Sequence, residues 1–224
     1  MLLFMCCGCH KQNEEDVSGV PKGAVDMGIV MTREDGSTYK LYWAECNLGA
    51  STPEDIGDYY AWGELEPKVH YNWETYKFCV IDPSGETATL SKYNTLESYG
   101  PVDGKTVLDL EDDAAHVKLG GKWRIPTREE FSALRSYCTW TWNMTGTWGF
   151  YVKSNINGNT IFIPAAGKAI ESVYYQRGSF FIYGSSSLNA DRPDQIHATR
   201  HIALGVERDY LERFYGLPIR PVTE

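Results

Sequence analysis

The chain has 224 residues, 42% of them hydrophobic, a length and composition that suit one α+β unit with a single buried core. Its 30 acidic residues against 21 basic give a formal charge of -9, which repels phosphate backbones and anionic membrane surfaces and argues against nucleic acid as a partner. The 21 Gly, 15 Tyr and 7 Trp predict many short strands and tight turns with few helices, because rings suit pleated surfaces and glycine suits turns.

In chain order, Leu2-Leu-Phe-Met-Cys-Cys-Gly-Cys9 is a short apolar run ending in a small residue and a cysteine, and residues 10–16 are polar. The pattern looks like the end of a bacterial lipoprotein signal, in which a peptidase cuts before a cysteine that is then acylated. Gly8-Cys9 matches that cut best, with Cys6 and Cys7 weaker; a small buried strand or a metal-binding cysteine cluster is the alternative. The run is short and lacks a positive start, so the natural start is expected upstream. Residues 1–9 are read as a partial signal, 10–22 as a flexible tether and 23–224 as the folded domain. Nothing approaches the roughly 18 apolar residues of a membrane helix, so an anchored protein of the bacterial envelope, at the outer membrane or cell surface, is expected.

Residues 27–31 and 38–44 flank Glu34-Asp-Gly-Ser37 and read as a hairpin. Residues 47–106 are rich in Gly, Pro, Asp and rings but lack sustained periodicity, which predicts short strands and aromatic-stapled loops. Asp109 is placed to cap a helix over 110–118 that Gly120-Gly121 stops. Thr127 and Glu130 form a capping box for a second helix whose Phe131, Leu134 and Cys138 share a face. Asn157-Gly158 between 149–154 and 160–163 predicts a type I′ hairpin. Residues 179–183, 196–206 and 217–222 supply further strands, the last returning the C-terminus to the sheet. Cys46, Cys79 and Cys138, odd in number and without a Cys-x-x-Cys pair, fit either one disulfide plus a thiol or three buried thiols.

Trp43-Ala-Glu-Cys-Asn-Leu-Gly-Ala50, Gly57-Asp-Tyr-Tyr-Ala-Trp-Gly-Glu64, the stretch from Asp109 to Gly120-Gly-Lys-Trp-Arg-Ile-Pro-Thr127 and Tyr215-Gly-Leu-Pro-Ile-Arg-Pro-Val222 together resemble the Fibrobacter succinogenes major paralogous domain family. That resemblance implies a bacterial surface domain with a C-type-lectin-like α+β fold of short strands, two main helices and long loops, akin to the formylglycine-generating enzymes. Those enzymes hold a pair of active cysteines late in the domain, and this chain has no cysteine after Cys138. The expectation is therefore a non-enzymatic, surface-anchored lectin-like module that binds a glycan or a surface protein. A structural component of a surface assembly and a divergent enzyme of the formylglycine-generating type are the alternatives.

The candidate ligand-binding residues are the loop rings Tyr59, Tyr60, Trp62, Tyr71, Trp73 and Tyr76 with the polar neighbours Glu64 and Asn72, since exposed rings stack on sugar faces and polar groups orient them. Trp140, Trp142 and Trp148 are a second aromatic group, whereas Trp43 and Trp123 are assigned to the core. Asp109, Glu111, Asp112 and Asp113 offer oxygen ligands for calcium, although capping explains the same acids and the Asp-x-Asp-x-Asp-Gly spacing is absent. The sugar-coordinating triplet of the lectins is missing too: Glu66-Pro67 precedes Lys68, and Arg192-Pro193-Asp194 begins with a cation. His197 and His201 share a strand face without an evident third ligand, and Ser185-Ser-Ser187 lacks a nucleophile-elbow setting. No set of residues meets the geometric demands of a catalytic site.

Overall fold

Turn chemistry sets the first hairpin. The computed structural model describes residues 19–85, 88–202 and 205–224, apart from the side chains at 201, 202, 205 and 207, so Cys9 and most of the tether lie outside the described residues. Strands β1 (Ala24–Thr32) and β2 (Thr38–Ala44) pair antiparallel across a turn where Gly36 takes φ 82° and Asp35 Oδ1 accepts from Ser37 N at 2.9 Å. The alternation of β1 and β2 buries Ile29, Leu41 and Trp43 completely. On the other edge of β2, the C-terminal β15 (Val222–Thr223) sets Val222 opposite Trp43, so the chain end does return to the sheet.

The long middle section is stapled as expected, by β3 (Tyr59–Tyr60), a hairpin of β4 (Cys79–Ile81) and β5 (Ala88–Leu90), and a 3-10 turn at Glu97–Tyr99. Strand β3 pairs with β14 (Leu217–Pro218). The four segments that carry the family resemblance meet in space: Leu48 N donates to Ile219 O at 2.9 Å, Tyr60 stands opposite Leu217, and Arg124 bridges to Val222. The residues that look familiar are thus those that close the fold.

The first helix departs from expectation. Leu110–Asp112 is a 3-10 turn that Asp109 does not cap, and α1 (Ala114–Leu119) is capped by Asp113, whose Oδ1 accepts from His116 N at 3.0 Å and Oδ2 from Ile125 N at 2.8 Å. Asp109 is diverted because its Oδ2 is held by Lys105 and Lys92 at 2.5 and 2.8 Å. Helix α2 (Arg128–Tyr137) carries the predicted capping box, with Thr127 Oγ1 accepting from Glu130 N and Glu130 Oε2 accepting from Thr127 N. Buried Glu130 also takes both terminal nitrogens of Arg124 and the Tyr39 hydroxyl.

Strands β6 (Cys138–Asn143), β7 (Gly149–Ser154) and β8 (Thr160–Pro164) form a meander. Its second turn is not type I′: Asn157 keeps a negative φ, Gly158 alone is left-handed at 81°, and Gly158 N donates to Ser154 O at 3.1 Å. Asn157 is committed elsewhere, since its Nδ2 and that of Asn159 both donate to Asp26 O at 2.8 Å, tying the turn to β1. After a short hairpin of β9 (Lys168–Ile170) and β10 (Val173–Tyr175), a last meander joins β11 (Ile182–Leu188), β12 (Gln195–Ile202) and β13 (Gly205–Glu212). The stretch 196–206, read as one strand, is therefore divided between β12, which ends at Ile202, and β13, which starts at Gly205.

With 38% strand and 11% helix in small antiparallel sheets, the protein is α+β and mostly β. Among the described residues no helix is long and apolar enough to cross a membrane. One buried cluster holds Trp43, Phe131, Leu134, Phe150 and Phe181; another holds Tyr59, Trp62, Tyr76, Phe78 and Tyr93; Ile56 packs against both.

Candidate functional site

The rings expected to line a groove instead form the second core. Tyr59, Tyr60, Trp62, Tyr71 and Tyr76 are each 5% exposed or less, which corrects their assignment as ligand contacts. Their polar atoms are spent internally: Trp62 Nε1 donates to Ser185 O at 3.0 Å, Tyr76 Oη to Trp62 O at 2.7 Å, Tyr71 Oη to Tyr59 O at 2.7 Å and Tyr59 Oη to Ala166 O. Burial pushes the Tyr59 and Tyr71 phenols up to about 12, as expected of hydroxyls whose ionised form has no solvent. Glu64 Oε1 accepts from Lys68 Nζ and Lys77 N, both at 2.8 Å, and Asn72 bonds Glu171 and Thr75, so these two brace loops.

What the rings enclose is a cation of the chain itself. Arg213 is fully buried, with its guanidinium carbon 4.9 Å from the Trp62 ring centre and 5.2 Å from that of Tyr76, while Phe78 and Tyr93 complete the cage. Its nitrogens donate to Tyr76 Oη and to the Lys92, Tyr93 and Pro193 carbonyls at 2.9–3.1 Å. The aromatic loops have an internal ligand.

The acidic group is also satisfied from within. Carboxylate oxygens of Asp109, Glu111 and Asp112 gather within 4.8 Å of one another, but Lys92 Nζ lies 2.8, 3.1 and 2.6 Å from them, and Lys77 and Lys105 add further cations. Hydrogen bonds from Lys105 and Lys92 hold the Asp109 carboxyl down at about 2. Asp113 belongs to the α1 cap, and burial raises its carboxyl. Three lysines therefore supply the charge that calcium would bring, and this donor set does not fit a calcium site.

Cys46, Cys79 and Cys138 are all free thiols, so no disulfide forms among them. Burial pushes each away from the thiolate form, Cys138 to about 11. His197 is buried on β12 beside Arg128, and the side chain of His201 lies outside the described residues. Trp43 and Trp123 are core, as expected, while Trp140 and Trp142 stack edge-on against Phe150 from a half-buried position and Trp148 is exposed beside Trp142.

Of the expected tryptophan contacts, the half-buried Trp73 lines a surface cleft. The cleft, about 190 Å³, is walled by Trp73, Cys79, Leu90 and Tyr99, with Asp194 at its rim. Trp73 is braced edge-on by Phe214 and Tyr76 at ring separations of 5.0 and 5.6 Å, which fixes its plane. Arg192 spans the rim, donating Nε to Tyr99 Oη at 3.1 Å and Nη2 to Asp194 Oδ2 at 2.8 Å. An apolar wall next to a hydrogen-bonding carboxylate and guanidinium suits a ligand with one flat apolar face and several hydroxyls or amides. Sequence reasoning missed Tyr99 entirely and weighed Arg192 and Asp194 only against a calcium triplet; the link between them is a contact across 93 residues.

The chain gives no significant match to any protein-family model, to any curated protein or to any solved structure.

Proposed function

We propose that the protein is a non-enzymatic, surface-anchored bacterial binding module of lectin-like architecture that holds a glycan at the Trp73–Tyr99 cleft. The observation that carries this reading is the cleft itself: a braced tryptophan wall beside the Arg192–Asp194 pair. The lectin-like architecture is supported by two helices, long stapled loops and the convergence of the four resembling segments. The three thiols, all pushed away from the reactive form, argue against cysteine chemistry of the formylglycine-generating kind.

A half-buried ring can be truncated at modest cost, so Trp73→Ala is expected to lose only about 1–2 kcal/mol of stability. Binding to a glycan found on an array should fall by about tenfold or more, the expected loss when a stacking face and its desolvation disappear together. Undiminished binding would remove the cleft from the site, and a failure of the parent to bind any glycan would favour the structural-component reading. The anchor has its own test: a fatty-acid probe should label the full-length precursor in bacteria, and Cys9→Ser should abolish that label. Absence of label in the parent would overturn the lipoprotein assignment.

A further inference from the structure

The size and the charge of the Trp73–Tyr99 cleft narrow what it can hold. At about 190 Å³ it falls below the roughly 300–1,000 Å³ of sites that enclose a drug-sized molecule, which leaves room for about one six-membered ring and not for a run of linked sugars. Its walls are fixed from several elements. Trp73 packs against Phe214 and Tyr76, Leu90 belongs to β5, and Tyr99 ends the 3-10 turn at Glu97–Tyr99. That turn is stiffened by Asn94, whose Nδ2 donates to the Gly100 and Pro101 carbonyls at 2.9 and 3.0 Å. It is also strapped to the segment 189–194, because Thr95 Oγ1 donates to Ala190 O at 2.6 Å and Arg192 Nε to Tyr99 Oη. The cleft is thus formed before any ligand arrives.

Its polar groups are those that hydroxyls need. Among the described residues that line the cleft, Asp194 carries the charge, and it already holds Arg192 through Nε to Oδ1 at 3.1 Å and Nη2 to Oδ2 at 2.8 Å. An ionised carboxylate has about four lone-pair sites, so the partly exposed Asp194 keeps acceptor capacity for further donors. Tyr99 Oη accepts from Arg192 and, among the described residues, donates to no acceptor, which leaves its proton for a ligand oxygen. Thr89 adds another hydroxyl to the lining. The charges of Arg192 and Asp194 offset each other, so the pair favours neither an acid nor an amine, and the formal charge of -9 further repels anions.

We propose, resting on the glycan reading of this cleft, that its ligand is a single neutral sugar at the end of a glycan, laid with its apolar ring face on Trp73 and its hydroxyls on Asp194 and Tyr99. A terminal sugar fits the volume because the rest of the glycan stays in solvent. Carbon-bound hydrogens of a sugar face suit an indole, and hydroxyl donors suit a carboxylate. Contact with one ring gives a Kd on the order of 1 mM.

The test titrates the full chain by ligand-observed NMR with the methyl glycosides of glucose, galactose and mannose, with the amino-sugar and uronate analogues of whichever binds, and with a tetrasaccharide that ends in it. At least one neutral glycoside should bind, its charged analogues about tenfold or more weakly, and the tetrasaccharide within about threefold of the single sugar. Tyr99→Phe should weaken binding by about three- to tenfold, the range for one neutral hydrogen bond, and Trp73→Ala by about tenfold or more. Affinity that climbs with every added sugar, preference for a charged analogue, or binding that survives both substitutions would overturn the proposal. A glycan held through Trp73 while no single sugar binds would overturn this inference and spare the cleft, whereas failure to hold any glycan would end both.

Discussion

Trp62→Ala is expected to cost about 3–5 kcal/mol of folding free energy, the range for truncating a buried tryptophan, and to lower the melting temperature by about 10 °C or more. The residue looks from sequence like a sugar-stacking ring, yet three interactions depend on it at once. Its indole N–H donates to Ser185 O at 3.0 Å, its face covers the Arg213 guanidinium, and its edge meets Tyr93 at a ring separation of 5.0 Å. Removing the ring also opens a cavity beside a buried cation, which water would enter to solvate Arg213; that relaxation limits the loss but loosens the cage. Chemical denaturation of Trp62→Ala beside Trp73→Ala separates the two roles, because the first should lose stability and the second binding. A Trp62→Ala protein that melts with the parent would mean that the cage opens readily and that Arg213 is no fixed part of the core.

The contrast between these two tryptophans shows what the sequence carries and what it does not. Local signals were legible where the partners are a few residues apart: the turn at Asp35 to Ser37, the Thr127–Glu130 box and the apolar face of α2 each need only their own neighbourhood. The first-helix cap was misplaced because Asp109 and Asp113 both precede a helical stretch, and the choice between them is made by Lys92 and Lys105 competing for Asp109. The ring set was misassigned for a longer-range reason. A Tyr- and Trp-rich loop reads the same whether it faces water or a buried arginine, and Arg213 lies more than 130 residues from Tyr76. Trp73 differs from Trp62 by its place at the edge of the same cluster, which no local pattern encodes.

Arg220→Met is expected to be at least as damaging as loss of the tryptophan, and the reasoning turns on which effect wins. Arg220 is 1% exposed and, among the described residues, has no carboxylate partner; burial lowers its pKa, so a long apolar replacement removes a charge whose desolvation is unfavourable. Against that, its guanidinium donates to Asn47 Oδ1 at 2.8 Å, to the Ala44 and Glu45 carbonyls at 3.0 and 2.6 Å and to the Phe162 carbonyl at 2.8 Å. Three of these acceptors are main chain and cannot be mutated away with the donor. Each buried acceptor left uncovered costs about 1–3 kcal/mol, so even two of them outweigh the relief of the charge. The damage should also spread, because Asn47 passes the network on to Tyr183 and the Ile56 carbonyl, and Arg220 thereby clamps the C-terminal segment to the end of β2 and to β8. Arg220→Lys should restore little, since one ammonium cannot reach acceptors arranged around a planar fork. Denaturant unfolding of the Met and Lys variants decides the matter: a Met variant as stable as the parent would show that desolvation dominates and that the clamp is dispensable, whereas loss of about 3 kcal/mol or more in both would make the guanidinium the tie between the two resembling segments, Trp43 to Ala50 and Tyr215 to Val222.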